Sequence, residues 1–280
     1  MKKPIIYTSK HLSIDSNTKS VAKGIIDALK ELHVEHRELE TTEKNYWCRD
    51  YMPVKISDDG CYSRFIYKPD YLVEYKTYEK TIVNQENASQ KLPIYSPNNI
   101  DIVFDGGNYV RCGNKVIMTD KIFSENPDWS NSKLLQHLEQ VFDAEIVLLP
   151  WDMKDFCGHT DGMVAPINDR KILLNGCWKE KAKTFHNRLI KILDKHFDIE
   201  ELPAWKGSES WCYLNYLQVN GGILLPCLTE KCDGEIDSAA IEFFKQQQLF
   251  PNLEIKPIYA KPLIKKGGAI HCVTWEYIER

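Results

Sequence analysis

Ile102-Val-Phe-Asp-Gly-Gly-Asn-Tyr-Val-Arg-Cys-Gly-Asn-Lys-Val-Ile-Met-Thr119 sets the pattern of this chain. An apolar run enters a polar turn at Asp105-Gly-Gly-Asn108, and a second extended run, Lys115–Thr119, follows. Downstream, Leu134, Leu135, Leu138, Val141 and Phe142 fall on one helical stripe over 131–143, and Glu145–Leu149 reads as another strand. The order is strands, helix, strand. Similar stripes lie at 17–33 (Val21, Ile25, Leu29, Leu32), 179–196 (Phe185, Leu189, Ile192, Leu193) and 236–249 (Ile236, Ala240, Phe243, Phe244), with a weaker one near 76–90. Short extended runs alternate with them at Pro4–Thr8, Ile102–Phe104, Lys171–Leu174, Gly222–Leu225, Glu254–Tyr259 and Ala269–Thr274. Gly-Gly recurs at 106–107, 221–222 and 267–268, each time entering an extended run. One such pair is an ordinary turn; three beside evenly spaced helices point to a reused α/β unit. No low-complexity linker divides the chain, so residues 1–280 read as a single domain of repeated α/β modules.

Composition narrows the function. The 40 acidic and 36 basic residues are interspersed and leave a net charge of −4, with no basic stripe for nucleic acid. No run approaches the ~20 apolar residues needed to cross a bilayer, and the start lacks the apolar core of a secretory signal. The nine cysteines are an odd number without framework spacing, which fits reduced thiols in a cytoplasm. The expectation is a soluble, cytosolic protein.

Chemistry-bearing residues cluster in short segments: Trp47-Cys48-Arg49-Asp50, Asp105-Gly-Gly-Asn108, Gly158-His-Thr-Asp161 and Gly267-Gly-Ala-Ile-His-Cys272. A thiol, an imidazole and three carboxylates suit covalent chemistry on a planar cation. A guanidinium keeps its proton at any ordinary pH, and its fixed fork of N–H groups matches carboxylates. Taken singly, Asp50 is more often a surface partner of Arg49, Asp161 a turn residue and Cys272 a structural thiol.

Together, these segments resemble the agmatine deiminase and bacterial-type peptidylarginine deiminase family of guanidine-modifying proteins. Asn215-Tyr216 and Asn220-Gly221-Gly222 add to the match, which runs in order from about residue 45 to the C-terminus. The resemblance implies a fivefold pseudosymmetric α/β propeller of ββαβ modules with a site on its axis. It also implies that Cys272 is the nucleophile, His159 the general acid and base, and Asp105 the group that orients His159. Asp50 and Asp161 would clamp the guanidinium; Trp47, Arg49, Asn108 and Asn215 would complete the substrate pocket or fix its loops. His271 reads as supporting structure, since neighbours in a strand point to opposite faces. No cofactor or metal is implied. The expected partner is a small guanidine or an arginine-containing peptide, with agmatine to N-carbamoylputrescine as the first reaction. Deimination of peptidyl or free arginine, an amidinotransferase, and a non-catalytic guanidine binder stay open beside it. A zinc site on Cys157, His159 and Asp161 lacks a fourth ligand at familiar spacing. The reading leaves room for a homo-oligomer. Asp105 stands where the family usually has Glu, Tyr51-Met52 interrupts its Arg-Asp-x-Gly-Pro run, and the chain is shorter than the usual agmatine deiminase.

Overall fold

The structure is a computed structural model describing residues 4–57, 60–73, 79–89, 92, 98–207, 209–246 and 249–279. Its plan is one unit used five times. In the unit around the opening stretch, β6 (Val110–Cys112) pairs antiparallel with β7 (Lys115–Thr119), which pairs in parallel with β8 (Glu145–Leu149). A parallel pair cannot be closed by a tight turn and needs a crossover. Helix Asn131–Phe142 supplies it, burying Leu134, Leu138 and Phe142 against Phe65, Phe104 and Met118.

The same antiparallel-then-parallel order holds in every sheet found among the described residues. It joins β3 (Val54–Lys55), β4 (Tyr62–Ile66) and β5 (Asn98–Val103); then β9 (Val164–Pro166), β10 (Lys171–Leu174) and β11 (Asp198–Glu201); then β12 (Leu217–Val219), β13 (Gly222–Cys227) and β14 (Glu254–Tyr259). The remaining sheet is assembled from both ends of the chain. Its inner strand β15 (Thr274–Ile278) pairs antiparallel with β1 (Pro4–Ser9), and β1 pairs in parallel with β2 (Glu35–Leu39). That pairing closes the ring, and the architecture is a five-module α/β propeller.

The crossover helices are α1 (Lys19–Glu31), α2 (Gln85–Ser89), α3 (Asn131–Phe142), α4 (Lys183–Leu193) and α5 (Glu235–Phe244). In α1 the positions four apart, Val21, Ile25 and Leu29, are fully buried on one stripe. Each such side chain contributes about 2 kcal/mol of apolar burial. The stripe expected over 179–196 divides at Ala182, whose φ of −147° breaks it into a short helix at Trp178–Lys181 and α4. The stripe expected to reach 249 ends as helix at Phe244, although Leu249 and Phe250 stay in its core cluster. Residues 247 and 248 lie outside the described residues, as do 76–78 and 90 of the weak stripe, of which α2 is a described part.

Inner strands β3, β6, β9, β12 and β15 line an axial cavity of 730 Å³, to which Lys55, Arg111, Ala165, Gln218 and Glu276 contribute one residue per module. Just before each inner strand comes a tight turn. These are one helical turn at Cys48–Tyr51, 3₁₀ turns at Gly106–Asn108, Thr160–Gly162 and Ser210–Leu214, and the turn 270–273. The ring therefore brings five pseudo-equivalent turns to one end of the axis, and four of them carry the motifs quoted above.

One strand expectation is corrected. Residues 270–273 form a turn, and β15 begins only at Thr274. The cause is Asn215, which takes the backbone that a strand would pair elsewhere. Its Oδ1 accepts from the N–H groups of Ala269 (3.1 Å) and Cys272 (3.3 Å), and its carbonyl accepts from His271 N–H (3.1 Å). The opposite-faces argument for His271 and Cys272 falls with the strand.

Candidate active site

Cys272 and His159 are both buried at the axis, 7% and 8% exposed, among Asp50, Asp105 and Asp161. Asp161 is the hub on the thiol side. Its Oδ2 lies 3.6 Å from Cys272 Sγ, 2.7 Å from His271 Nδ1 and 3.3 Å from Asn215 Nδ2. On the other side, His159 Nε2 stands 3.2 Å from Asp105 Oδ2, while its Nδ1 faces Asp50 Oδ1 at 3.7 Å, too far for a hydrogen bond. The approach depends on glycine. A Cβ on Gly107 would fall 2.3 Å from His159 Nδ1 and 2.8 Å from Asp50 Oδ1, so no larger residue fits between acid and imidazole.

Charge sets the resting protonation states. Burial works against a charged His159, but Asp50, Asp105 and Asp161 outweigh it and raise the imidazole to about 10. At neutral pH it holds a proton on each nitrogen. Burial, with Asp105 and Asp161 adding, pushes Asp50 up to about 7 against the opposing pull of His159. Burial also disfavours charge on Asp161, yet the hydrogen bond from His271, with the charges of His159 and Arg49 adding, holds it below the ordinary carboxylate range. His271 itself is lowered, by burial first and by Arg49 next, so it is neutral and its Nδ1–H donates to Asp161. Cys272 is driven well above the usual thiol range by burial, then by Asp161 and Asp50. The site thus holds a neutral thiol beside buried carboxylates.

The imidazolium also bears on stability. Its folded pKa of about 10 lies above the ~6.5 of an unfolded histidine, so the stabilisation is complete below the lower value and is lost as pH rises through the upper one. Denaturant unfolding of His159→Gln beside the parent should show a gap that narrows from roughly pH 7 to pH 10. A gap independent of pH would contradict the charged state assigned to His159.

The other expected residues divide between frame and pocket. Asn108 Oδ1 accepts from Thr119 N–H (2.8 Å), Thr119 Oγ1 (3.1 Å) and Thr160 Oγ1 (2.7 Å), tying the Asp105 turn to β7 and to the His159 turn. Asn215 builds the Cys272 turn. Trp47 packs against Gly268, where a Cβ would come within 2.3 Å of its ring. Arg49 N–H donates to the Cys272 carbonyl at 3.2 Å, while its side chain lines the axial cavity together with His271. Cys157 is near enough to feel the charges of Asp50 and Asp105. No group of three His, Cys, Asp or Glu side chains able to hold a metal ion gathers among the described residues.

Two contributors carried no sequence signal strong enough to place them. His271 sits in a recognised motif but was assigned to a strand. Tyr71 belongs to the crossover between β4 and β5; its hydroxyl donates to Asp105 Oδ2 at 2.9 Å and its ring meets the His159 ring edge-on at 6.0 Å. Phe156, from the loop between β8 and β9, meets the Tyr71 ring at 5.6 Å and lies over Gly267, at 3.5 Å from where a Cβ would stand.

A family model for the Porphyromonas-type peptidyl-arginine deiminases matches residues 7–277, which includes every one of these positions. The chain belongs to that family. A Legionella pneumophila protein carrying a provisional agmatine deiminase name is 28% identical over 198 residues, 62% of this chain and 55% of its own length. The match thus spans about half of that relative. A Lactococcus lactis protein named in the same way is 22% identical over 89% of this chain and 78% of its own length. Among solved structures, the C. jejuni agmatine deiminase superposes with a TM-score of 0.75 at 16% identity, covering 99% of this chain and 94% of that one. A dimethylarginine dimethylaminohydrolase from Pseudomonas aeruginosa aligns at a TM-score of 0.60 and 13% identity over 99% of this chain and 100% of its own. At these identities the solved structures establish the propeller fold of this family member.

Proposed function

We propose that this chain is a cofactor-independent guanidine deiminase that uses Cys272 as nucleophile, with agmatine as first substrate and N-carbamoylputrescine and ammonia as products. One observation carries the reading: among the described residues, Asp50 Oδ1 and Asp105 Oδ1 are buried acceptors without a hydrogen-bond donor. Buried carboxylate oxygens left unpaired are costly. A cationic fork of N–H groups entering between Asp50 and Asp161 would satisfy Asp50 Oδ1 and offset the charge that keeps the thiol neutral.

With the guanidinium seated, the Cys272 thiol releases its proton to solvent water and Sγ attacks the central carbon. His159, already protonated, passes a proton to the departing nitrogen, and ammonia leaves a thiouronium on Cys272. Neutral His159 then draws a proton from water as the water attacks that carbon. The C–S bond breaks and releases the ureido product. Asp105 holds the imidazole in place through both steps.

Agmatine is preferred to arginine because the roof over the site is aromatic. Tyr71 and Phe156 offer apolar surface to an alkyl stem. Lys121, the cation beside them, is held at 2.8 Å by both Asp70 and Glu125, leaving a substrate carboxylate no ready partner there. A ureido colour assay across agmatine, arginine, methylated arginines and arginine-ended peptides tests the assignment. Agmatine should give the highest kcat/KM, exceeding free arginine by at least about tenfold. Equal or greater turnover of arginine would remove agmatine as first substrate, and ammonia-free transfer to an added amine would indicate an amidinotransferase.

A further inference from the structure

Asp105 Oδ2 serves two groups at once, His159 Nε2 at 3.2 Å and the Tyr71 hydroxyl at 2.9 Å. The segment bearing Tyr71 is fastened from below. Lys121 is 1% exposed, binds Asp70 (next in sequence to Tyr71) and Glu125, and stands 5.0 Å from the centre of the Tyr71 ring. Its stem also packs so closely on Gly158, just before His159, that a Cβ there would meet Lys121 Cδ at 2.7 Å. Lys121 thus braces the tyrosine and the histidine turn together. A buried cation with two carboxylate partners is a rigid anchor.

We propose that Tyr71 is a positioning residue for His159, acting through Asp105. This rests on the deiminase reading for its kinetic consequence, but not for its electrostatic one. By donating to Asp105 Oδ2, the phenol draws carboxylate charge away from the imidazole and fixes the carboxylate's rotation. Without that donor, Asp105 would stabilise the imidazolium more strongly and hold its plane less well. His159 would then release its proton to ammonia less readily and recover as a base less completely. The titratable groups facing His159 are Asp50, Asp105 and Asp161, with Tyr71 at its edge. Those facing Asp105 also include Asp50, Glu125, Tyr67 and Cys157. Among the described residues the side-chain hydrogen bonds to Asp105 come from Tyr71 and His159, so Tyr71 can be tested separately.

The experiment is a ¹⁵N NMR titration of the His159 imidazole in the unliganded full chain, with steady-state kinetics on the same samples. Tyr71→Phe keeps the ring and its packing; it should move the His159 pKa upward and lower kcat roughly tenfold while KM changes by less than about twofold. A difluorinated tyrosine at position 71, a stronger donor of the same shape, should move the pKa downward. It also carries the test if Tyr71→Phe fails to fold. An imidazole whose pKa is the same in the parent and in the folded variants would overturn the proposal. A parent that turns over no guanidine would end the deiminase reading, while the titration would still decide whether Tyr71 acts on His159.

Discussion

Cys272→Ala should lower agmatine turnover by roughly 10⁴-fold or more, because covalent catalysis has no substitute for its nucleophile. The fold should survive. The turn carrying Cys272 is held by backbone bonds to Asn215, and among the described residues its Sγ makes only the long contact to Asp161. Circular dichroism and thermal midpoint should therefore match the parent within a few degrees. Removing the sulfur also removes the group whose ionisation Asp161 and Asp50 oppose, so the variant should still capture guanidinium. Substrate affinity by calorimetry should be similar to the parent's KM or tighter. A Cys272→Ala protein with more than about one per cent of parental kcat would contradict the mechanism.

Asp161→Asn should produce the next largest loss. Asp161 is 5% exposed, stays ionised, and touches His271, Asn215 and Cys272. Neutralising one side of a buried clamp leaves the substrate cation short of a partner, at a cost of about 3–5 kcal/mol. At about 1.4 kcal/mol per factor of ten, kcat/KM should fall by roughly 10²- to 4 × 10³-fold. Most of the loss should appear in KM, since the carboxylate acts on the cation before any bond changes. Asp50→Asn makes a useful comparison. Asp50 is only partly ionised near neutrality, its pKa raised to about 7, so its neutralisation should matter less at pH 6 than at pH 8. A change in kcat/KM of less than about threefold in Asp161→Asn would remove it from the capture step.

Much of this site could be located in the sequence because its residues announce their chemistry. A thiol after Gly-Gly, a histidine two positions before an aspartate, and an acid before Gly-Gly-Asn are short, local patterns. What was less legible is set by distance along the chain. The Cys272 turn is governed by Asn215, whose Oδ1 reaches over 54 residues to take Ala269 N–H. From the apolar run alone, Ala269–Thr274 is a reasonable strand. Tyr71 comes from a crossover without any motif, and only folding shows that its hydroxyl reaches Asp105. The inner strands β3, β9 and β12 were missed for another reason: β3 has two residues and the other two three each, too few to display alternation. The longer, more apolar strands β7, β10, β13 and β14 were read nearly residue for residue.

The five turns at the axis also explain why so small a reaction centre needs so much chain. Each module delivers one turn, and the close approaches at Gly107 and Gly268 hold adjacent turns near the limit of packing. The ring is closed by β15 against β1.

Acid quench of the parent protein within milliseconds of mixing with agmatine, followed by intact-mass and peptide analysis, addresses the covalent step itself. The account predicts an adduct equal to agmatine less one ammonia, confined to the peptide containing Cys272 and absent from Cys272→Ala. Full conversion of agmatine with no adduct at any quench time, or an adduct on another residue, would contradict it.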